Sequence, residues 1–474
     1  MRAFSLVIKV VILAGLSLLI VVALFYVDSV ITERQGFRNQ AVESISASYA
    51  SSQRILGPMF VQPYRVTERV ESTDAKGAKT VSTNVTDNIY SFFPRELQVK
   101  GELQPSVRRH GLYPVTVYEF VGTVSGHFDV PALPVKGNVQ YGDPYLAFVF
   151  KDVRGLVGRP ALRVNGTAVA VQGALKTQEE QDSTVQAPVM SGANLRGLLP
   201  ATDGKASKLD FSLDLNLDGT QEFEIVPLAD TNHFELSSTW SQPLFSGRFL
   251  PHSREVGPAG FHAVWEISSL AAATQQQLAN HGDNLDVVNT ALNETVDPYR
   301  MADRAVKYGI LFVLLTFGGF FMFELTKRML IHPIQYLLVG FCLAIFFLLL
   351  VSFSEHMSFA LAYLIATASC VGILTYYMIF VLRSREYGLA FGSGLAALYG
   401  CVYGLLVSED NALLLGSLLL FAVIALIMIL TRKVDWYQRT ASPPSPPPGP
   451  PFPAPPYPHQ PPSAAVVDTG FPRA

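Results

Sequence analysis

The chain has 474 residues, enough for two or three ordinary domains, and 49% of them are hydrophobic while only 15% are charged. This balance is typical of a protein that is partly embedded in a membrane. The formal net charge of −3, without a clustered basic surface, argues against a nucleic-acid partner.

The first predicted element is a membrane anchor at residues 1–27. An uncharged apolar run from Val10 to Val27 reaches roughly 27 Å as a helix, close to the thickness of the hydrocarbon layer. Leu24-Phe25-Tyr26-Val27 lacks the small residues of a signal-peptide cleavage site, so the anchor is predicted to stay uncleaved. Helix-forming residues follow, and the helix is expected to continue beyond the membrane until Gly57-Pro58 stops it.

Residues 28–303 are predicted to form a large, mainly β domain. From Leu209 to Leu217 every second residue is apolar, which is typical of a strand with one buried and one wetted face. The pair Asp218-Gly219 then predicts a hairpin turn into a second strand, Gln221 to Val226. Asp214, Asn216 and Asp218 also match the first half of a calcium-binding loop. The twelfth position of such a loop is normally Glu, but in this chain it is Ile225, so a strand is favoured.

Other runs with the same alternation support a β-rich domain. Asn165-Gly166 predicts a further hairpin, and the polar gap from Gln178 to Gly197 is a possible division into two lobes. The arrangement is therefore expected to be sandwich-like or two-lobed. The additional predicted strands are Val115–Val121, Tyr145–Val153 and Ala161–Val171.

Residues 304–437 are predicted to form a block of five membrane helices, which with the anchor makes six transmembrane helices. The fold class is thus an integral membrane α-helical protein carrying a large mainly-β domain. All three cysteines lie in these spans and are expected to be small packing residues. The predicted spans are Ala305–Phe323, Pro333–Phe353, Phe359–Leu382, Gly388–Val407 and Asn411–Leu430.

The charges of the short loops predict the orientation. Lysine and arginine fall in the first, third and last connections of the block, whereas the other two loops hold Glu355-His356 and Glu409-Asp410. Under the positive-inside rule both termini are cytoplasmic and the β domain is translocated. Residues 438–474 contain 14 of the 31 prolines and are predicted to be a disordered cytoplasmic tail, with docking onto a proline-binding module as the alternative.

Few residues point to chemistry. The metalloprotease, nucleophile-elbow and phosphate-loop motifs are missing from the sequence, so no catalytic residue, cofactor or metal is expected. Charged groups of the block, such as Glu324, fall at span ends where headgroup water is expected to solvate them, which argues against an ion path. Glu355-His356 is the most site-like pair, since two such groups could titrate together on the outer surface, but a solvated loop is the favoured interpretation. His332, with Pro333 and Gln335 after it, is expected to set the start of a helix.

One span carries a small residue at every fourth position. Such a pattern is expected to form a flat stripe for close helix packing, and replacing Gly400 with Leu is expected to lower the folded yield in detergent. The stripe consists of Gly388, Gly392, Ala396, Gly400 and Gly404.

Several stretches, taken together, resemble the CreD family of inner-membrane proteins. The His-Pro and Ser-Glu-His stretches are the most specific of them, and the likeness runs from Met1 to about Tyr437. The stretches are Leu56-Gly57-Pro58 with Pro63; Phe249-Leu250-Pro251 with Arg254-Glu255-Val256; Gly260-Phe261, Ala263 and Trp265; Arg304-Ala305 with Lys307-Tyr308; Phe323-Glu324; His332-Pro333 with Gln335 to Gly340; Ser354-Glu355-His356 with Phe359; Ala412 to Gly416; and Thr431-Arg432 with Asp435-Trp436-Tyr437.

The resemblance implies a multi-pass protein of the Gram-negative inner (cytoplasmic) membrane, associated with the CreBC two-component regulon. It implies roles in cell-envelope integrity, colicin tolerance and the response to β-lactam stress, without enzymatic activity. The expected partners are the lipid bilayer and an envelope protein or cell-wall component that meets the periplasmic domain. A small transporter or flippase formed by the bundle, and a periplasmic sensor module, are the alternatives.

Overall fold

The computed structural model describes residues 2–73, 79–134, 138–173, 195–201, 205–280, 285–292, 298–327, 331–408 and 412–432. Within these ranges the chain forms a large β domain and a group of long apolar helices. The predicted proline-rich tail and most of the polar gap Gln178 to Gly197 lie outside them.

A single helix, α1 (Arg2–Ser48), runs from the group of long apolar helices to the β domain. Its 47 residues span roughly 70 Å at about 1.5 Å per residue. The helix ends well before Gly57, so the prediction that Gly57-Pro58 stops it is wrong. That pair lies inside strand β1 (Gln53–Thr73), at a shift of register between Leu56 and Met59.

The β domain consists of two sheets that share one hydrophobic core. Aromatic side chains of the two sheets meet there: Phe120 stacks on Phe223 at 4.7 Å between ring centroids, and Phe245 meets Trp265 edge-on at 5.6 Å. The nine-stranded sheet has the order β14-β17-β12-β1-β6-β10-β9, with β2 and β5 also paired to β1, and the eight-stranded sheet has the order β15-β16-β13-β3-β4-β11-β7-β8. This is the sandwich-like, mainly β domain that alternation predicts.

The strands of the described residues follow β1 in chain order. They are β2 (Lys79–Phe92), β3 (Glu96–His110), β4 (Tyr113–Val130), β5 (Val139–Tyr141), β6 (Tyr145–Phe150), β7 (Leu156–Val164), β8 (Thr167–Val169), β9 (Val171–Gly173), β10 (Leu195–Leu198), β11 (Ser207–Thr220), β12 (Glu222–Ile225), β13 (Thr231–Ser238), β14 (Leu244–Gly247), β15 (Ser253–Gly257), β16 (Gly260–Ser268) and β17 (Val288–Ala291).

Two predicted turns have different outcomes. Asn165-Gly166 forms the two-residue hairpin between β7 and β8, with both residues at positive φ as such a turn requires. Asp218-Gly219 is not a turn, because both residues continue β11 and pair with β4. The chain bends at Gln221 instead, where it leaves one sheet for the other, since β12 pairs with β1 and β17.

The helices of the described residues after α1 are α2 (Thr274–Ala279), α3 (Pro298–Lys307), α4 (Gly309–Lys327), α5 (Pro333–Ser354), α6 (Phe359–Val381), α7 (Arg385–Val407) and α8 (Ala412–Thr431). Four of the described helices are long and apolar enough to cross a membrane, or five if α3 and α4, bent by 43°, form one span. The five predicted spans correspond to α4–α8 within a few residues.

The helices pack around a second hydrophobic core, separate from that of the β domain. Aromatic rings fill its centre: Phe312 of α4, Phe346 of α5 and Tyr399 of α7 meet at centroid distances of 4.6–6.4 Å. Because these rings interdigitate at the centre of the bundle, the described part of its interior is packed rather than open.

Candidate functional site

The tip of the β3–β4 hairpin reaches the helices. Strand β3 ends at His110 and β4 begins at Tyr113, so only Gly111 and Leu112 form the loop. Gly111 has a φ of +61°, which favours glycine in so tight a turn. The hairpin therefore presents Tyr113, which packs against the hydrophobic core of the helices.

Glu355, the residue that caps the end of α5, is the carboxylate at this contact. Its side chain is only 8% exposed. The Tyr299 hydroxyl donates to its Oε1 at 3.1 Å, and Arg34 Nε of α1 lies 3.6 Å from the same oxygen. The Tyr113 side chain lies next to both Arg34 and Tyr299. We call Arg34, Tyr113, Tyr299 and Glu355 the junction cluster.

The junction cluster draws one residue from each of four elements: α1, the β3–β4 hairpin, α3 and the end of α5. A carboxylate that leaves water needs a cation or hydrogen-bond donors, because desolvation of its charge is otherwise unfavourable. Three of the four residues belong to helices or their ends, and the fourth comes from the β domain. The arrangement therefore ties the position of the β domain to that of the helices.

His356 does not share these partners. Its side chain is exposed, and its Nδ1 lies 3.2 Å from the Ser352 carbonyl oxygen of the preceding turn. Glu355 and His356 thus face different surroundings. The carboxylate of Glu355 is enclosed by protein groups, whereas His356 is exposed, as in the solvated loop that the sequence favours.

A second connection, which we call the α1–β1 joint, lies where α1 ends. Arg154 Nη1 donates to the Ala47 carbonyl oxygen at 2.6 Å, and so caps carbonyls that the end of the helix leaves unpaired. Asp152 Oδ2 accepts from the Ser51 backbone N–H at 2.9 Å. The buried Gln53 amide donates to the carbonyl oxygens of Asp152 and Asp218 at 2.9 and 2.8 Å.

The Arg154 guanidinium beside Asp152 holds the pKa of that carboxyl well below its ordinary range. The backbone N–H groups of Ser51 and Arg154 add to the same lowering of the pKa, since both donate to the charged carboxylate. Asp152 therefore stays ionised at neutral pH and holds the α1–β1 joint in its ionised form.

A third polar group lies at the other end of the helices. Glu324 is buried, forms an ion pair with Lys9 of α1, and accepts from the Tyr336 hydroxyl at 2.9 Å. The prediction that headgroup water solvates Glu324 is therefore wrong, because protein groups take that role. Sequence reasoning missed the pair because its members are 315 positions apart.

His332 has the capping role expected from the sequence. Its Nδ1 accepts from the Ile334 backbone N–H at 3.3 Å, while Gln335 Oε1 accepts from the His332 backbone N–H at 3.1 Å. Pro333 occupies the first turn of α5, where its missing N–H is not needed. These three residues start α5.

The small-residue stripe of α7 is packed over only half of its length. An added Cβ would clash with Ile379 at Gly388 and with Thr375 at Gly392, whereas nothing lies within 4 Å at Gly400 or Gly404. Ala396 is also exposed. A four-residue period advances by about 40° per step around a helix with 3.6 residues per turn, so the stripe rotates away from α6. The predicted loss of yield on replacing Gly400 with Leu is therefore not expected from the structure.

The remaining motif residues of the β domain are not brought together. Arg254 and Glu255 lie on β15, an exposed edge strand of the eight-stranded sheet. Trp265 lies on the inner face of β16, 1% exposed, against Phe245. Within the described ranges the Trp265 indole N–H has no hydrogen-bond partner, and no group of three or more His, Cys, Asp or Glu residues is arranged to hold a metal ion.

Comparison with known proteins gives one family over almost the whole chain. A family model described as "Inner membrane protein CreD" matches residues 5–437. The inner membrane protein CreD of Escherichia coli (strain K12) is 33% identical over 431 residues, which cover 90% of this chain and 92% of that protein.

Among solved structures, an M1 zinc metallopeptidase from Deinococcus radiodurans matches at a TM-score of 0.20 and 7% identity, over 42% of each chain. A substrate-bound mutant of an M1 zinc metallopeptidase from the same organism matches at 0.19 and 9%, again over 42% of each chain. Similarities this low carry no argument about fold or activity.

Proposed function

The chain belongs to the CreD family of inner-membrane proteins, and from this premise we propose that it is a non-enzymatic protein that supports cell-envelope integrity and the response to envelope stress. In this proposal the β domain lies in the periplasm and meets an envelope protein or a cell-wall component. The helices hold that domain at the membrane.

The proposed topology has six spans with both termini in the cytoplasm. Helices α1, α5, α6 and α7 are each long and apolar enough to span, and bent α3–α4 and α8 complete the set. The distribution of arginine and lysine among the short loops supports the orientation, because cations are retained on the cytoplasmic side. The proline-rich tail, residues 438–474, would then lie in the cytoplasm.

The observation that carries the proposal is the double connection between the β domain and the helices. Helix α1 continues from the membrane to the α1–β1 joint without a break, and the junction cluster ties the β3–β4 hairpin to α3 and α5. Such a connection suits a domain that binds an envelope component outside the membrane. A force applied to the β domain is transmitted through it to the helices. The aromatic packing of the bundle interior does not favour the transporter alternative.

The test is deletion and complementation in a Gram-negative strain. Removal of the protein is expected to raise sensitivity to detergent, colicin and β-lactam, and the unmodified chain is expected to restore tolerance. A variant with Tyr113→Ala and Glu355→Leu, inserted at the same level in the membrane, is expected to restore less. His356→Leu, which changes an exposed neighbour of the junction cluster, is the matched control. Unchanged sensitivity to all three agents after deletion would refute the proposed role.

A further inference from the structure

Two cysteines on neighbouring membrane helices lie side by side. The Sγ atoms of Cys342 on α5 and Cys370 on α6 are 3.5 Å apart. Cys370 Sγ also lies 3.7 Å from the Cys342 carbonyl oxygen, so the side chain of Cys370 rests against the backbone of α5. Ala362 and Ala366, buried on α6, precede Cys370 at four-residue steps and permit this close approach.

The two thiols differ in their access to the outside of the bundle. Cys370 is 3% exposed and also contacts the Tyr399 hydroxyl, with Sγ and oxygen 3.2 Å apart. Cys342 is partly exposed, and Phe341 and Ile345, beside it on α5, are 40% and 52% exposed. In an inner-membrane protein such an apolar outer surface faces lipid. Only a reagent dissolved in the bilayer reaches the pair from this side.

We propose that Cys342 and Cys370 form a reversible disulfide, with a lipid-soluble quinone as the electron acceptor. A disulfide needs the sulfur atoms about 2.05 Å apart, so the present separation closes by about 1.5 Å through rotation of the two side chains. The S–S bond forms as both S–H bonds break. The two electrons and two protons pass to the quinone, which becomes the hydroquinone, so atoms and charge balance.

A quinone fits this position because it accepts two electrons and two protons and dissolves in hydrocarbon, unlike a polar oxidant. The bond would link α5 to α6 near the middle of both helices and close a loop between positions 28 residues apart. This modification is independent of the envelope role proposed above, since it concerns the bundle and not the β domain.

The experiment counts free thiols in the full-length protein, reconstituted in vesicles of phosphatidylethanolamine and phosphatidylglycerol. Vesicles are treated with decylubiquinone, denatured in SDS and reacted with a maleimide polymer that shifts the gel band once per thiol. The reduced protein is expected to show three thiols, because the chain has three cysteines. Quinone is expected to leave one thiol, and a phosphine reductant is expected to restore three.

Variants identify the residues involved. Cys401→Ser is expected to go from two thiols to none, because Cys401 is exposed and outside the pair. Adding Cys342→Ser is expected to leave one thiol that quinone does not remove. Three thiols remaining in the unmodified protein after quinone, loss of the thiol in the Cys342→Ser control, or a loss that the reductant does not reverse would each overturn the proposal.

Discussion

At the scale of single residues, Glu355 holds the contacts that join the β domain to the helices. Its carboxylate is buried and accepts from Tyr299, whereas Arg34 is 41% exposed. Because water screens the Arg34 charge, the Arg34–Glu355 ion pair alone contributes little to the free energy of unfolding. The larger effect comes from the buried Tyr299 hydroxyl, which loses an acceptor if the carboxylate is removed.

Glu355→Leu is therefore expected to lower the free energy of unfolding by about 1–3 kcal/mol, mainly because the Tyr299 hydroxyl loses its hydrogen bond to a charged acceptor. Thermal unfolding of the purified full-length protein in detergent measures the change. His356→Leu introduces the same side chain at an exposed neighbouring position and is expected to have little effect. Equal shifts for the two variants would show that Glu355 has no special role.

The Lys9–Glu324 ion pair predicts non-additive effects. Both groups are largely buried, so Glu324→Met leaves Lys9 without its partner and is expected to cost about 3–5 kcal/mol. The double variant Lys9→Met with Glu324→Met removes both charges and is expected to recover most of that loss. Folded yield and thermal unfolding of the two single variants and the double variant form a double-mutant cycle. Additive losses would mean that the two residues act independently.

At the scale of elements, the α1–β1 joint depends on pH through Asp152. Its pKa is lowered in the folded protein from an ordinary value of about 3.9. A group with a depressed pKa stabilises the fold above its unfolded pKa, and this contribution is lost as pH falls through the folded pKa. Arg154 is 55% exposed, so screening by water reduces the effect.

Asp152→Asn is thus expected to destabilise the joint at pH 7 and to have a progressively smaller effect as pH falls below about 4. Hydrogen exchange of the Ser51 backbone amide, which donates to Asp152, measures the local change. The matched control is Asp87→Asn, which removes an exposed carboxylate paired with Arg65 far along β1. The same difference at pH 7 and at pH 3 would contradict the assignment.

The packing between α6 and α7 gives a second test at this scale. Gly392→Leu is expected to lower folded yield in detergent, with an overpacking cost of about 1–3 kcal/mol, because the side chain would meet Thr375. Gly400→Leu places the same residue on the same helix where nothing lies within 4 Å, and is expected to be tolerated. Comparable yields for the two variants would rule out the described packing of α7 on α6.

Particular elements show which parts of the fold can be predicted from sequence. Alternation along β11 predicts a strand because one face is buried, and runs of apolar residues predict the long helices because lipid requires them. The turn predicted at Asp218-Gly219 does not form. The local preference of this pair for a turn is outweighed by tertiary packing, in which Phe223 stacks on Phe120 of the other sheet. The junction cluster joins residues that are distant in sequence, so no local pattern indicates it.

At the scale of the whole molecule, two polar connections and one continuous helix fix the β domain relative to the helices. The α1–β1 joint holds the end of α1, and α1 also contacts β3, β4 and β11 along its length outside the helical bundle. The junction cluster adds contacts to α3 and α5. These connections predict that the β domain keeps one position on the helices.

The most direct test is a distance distribution between spin labels, measured by double electron–electron resonance on the reconstituted protein. The labels are attached at Leu270→Cys in the β domain and Leu361→Cys on α6, both exposed, after serine has replaced the three native cysteines. A single narrow distribution is expected, and it is expected to broaden with Tyr113→Ala and Glu355→Leu. A broad distribution in the unmodified chain, or no broadening in that variant, would contradict the account.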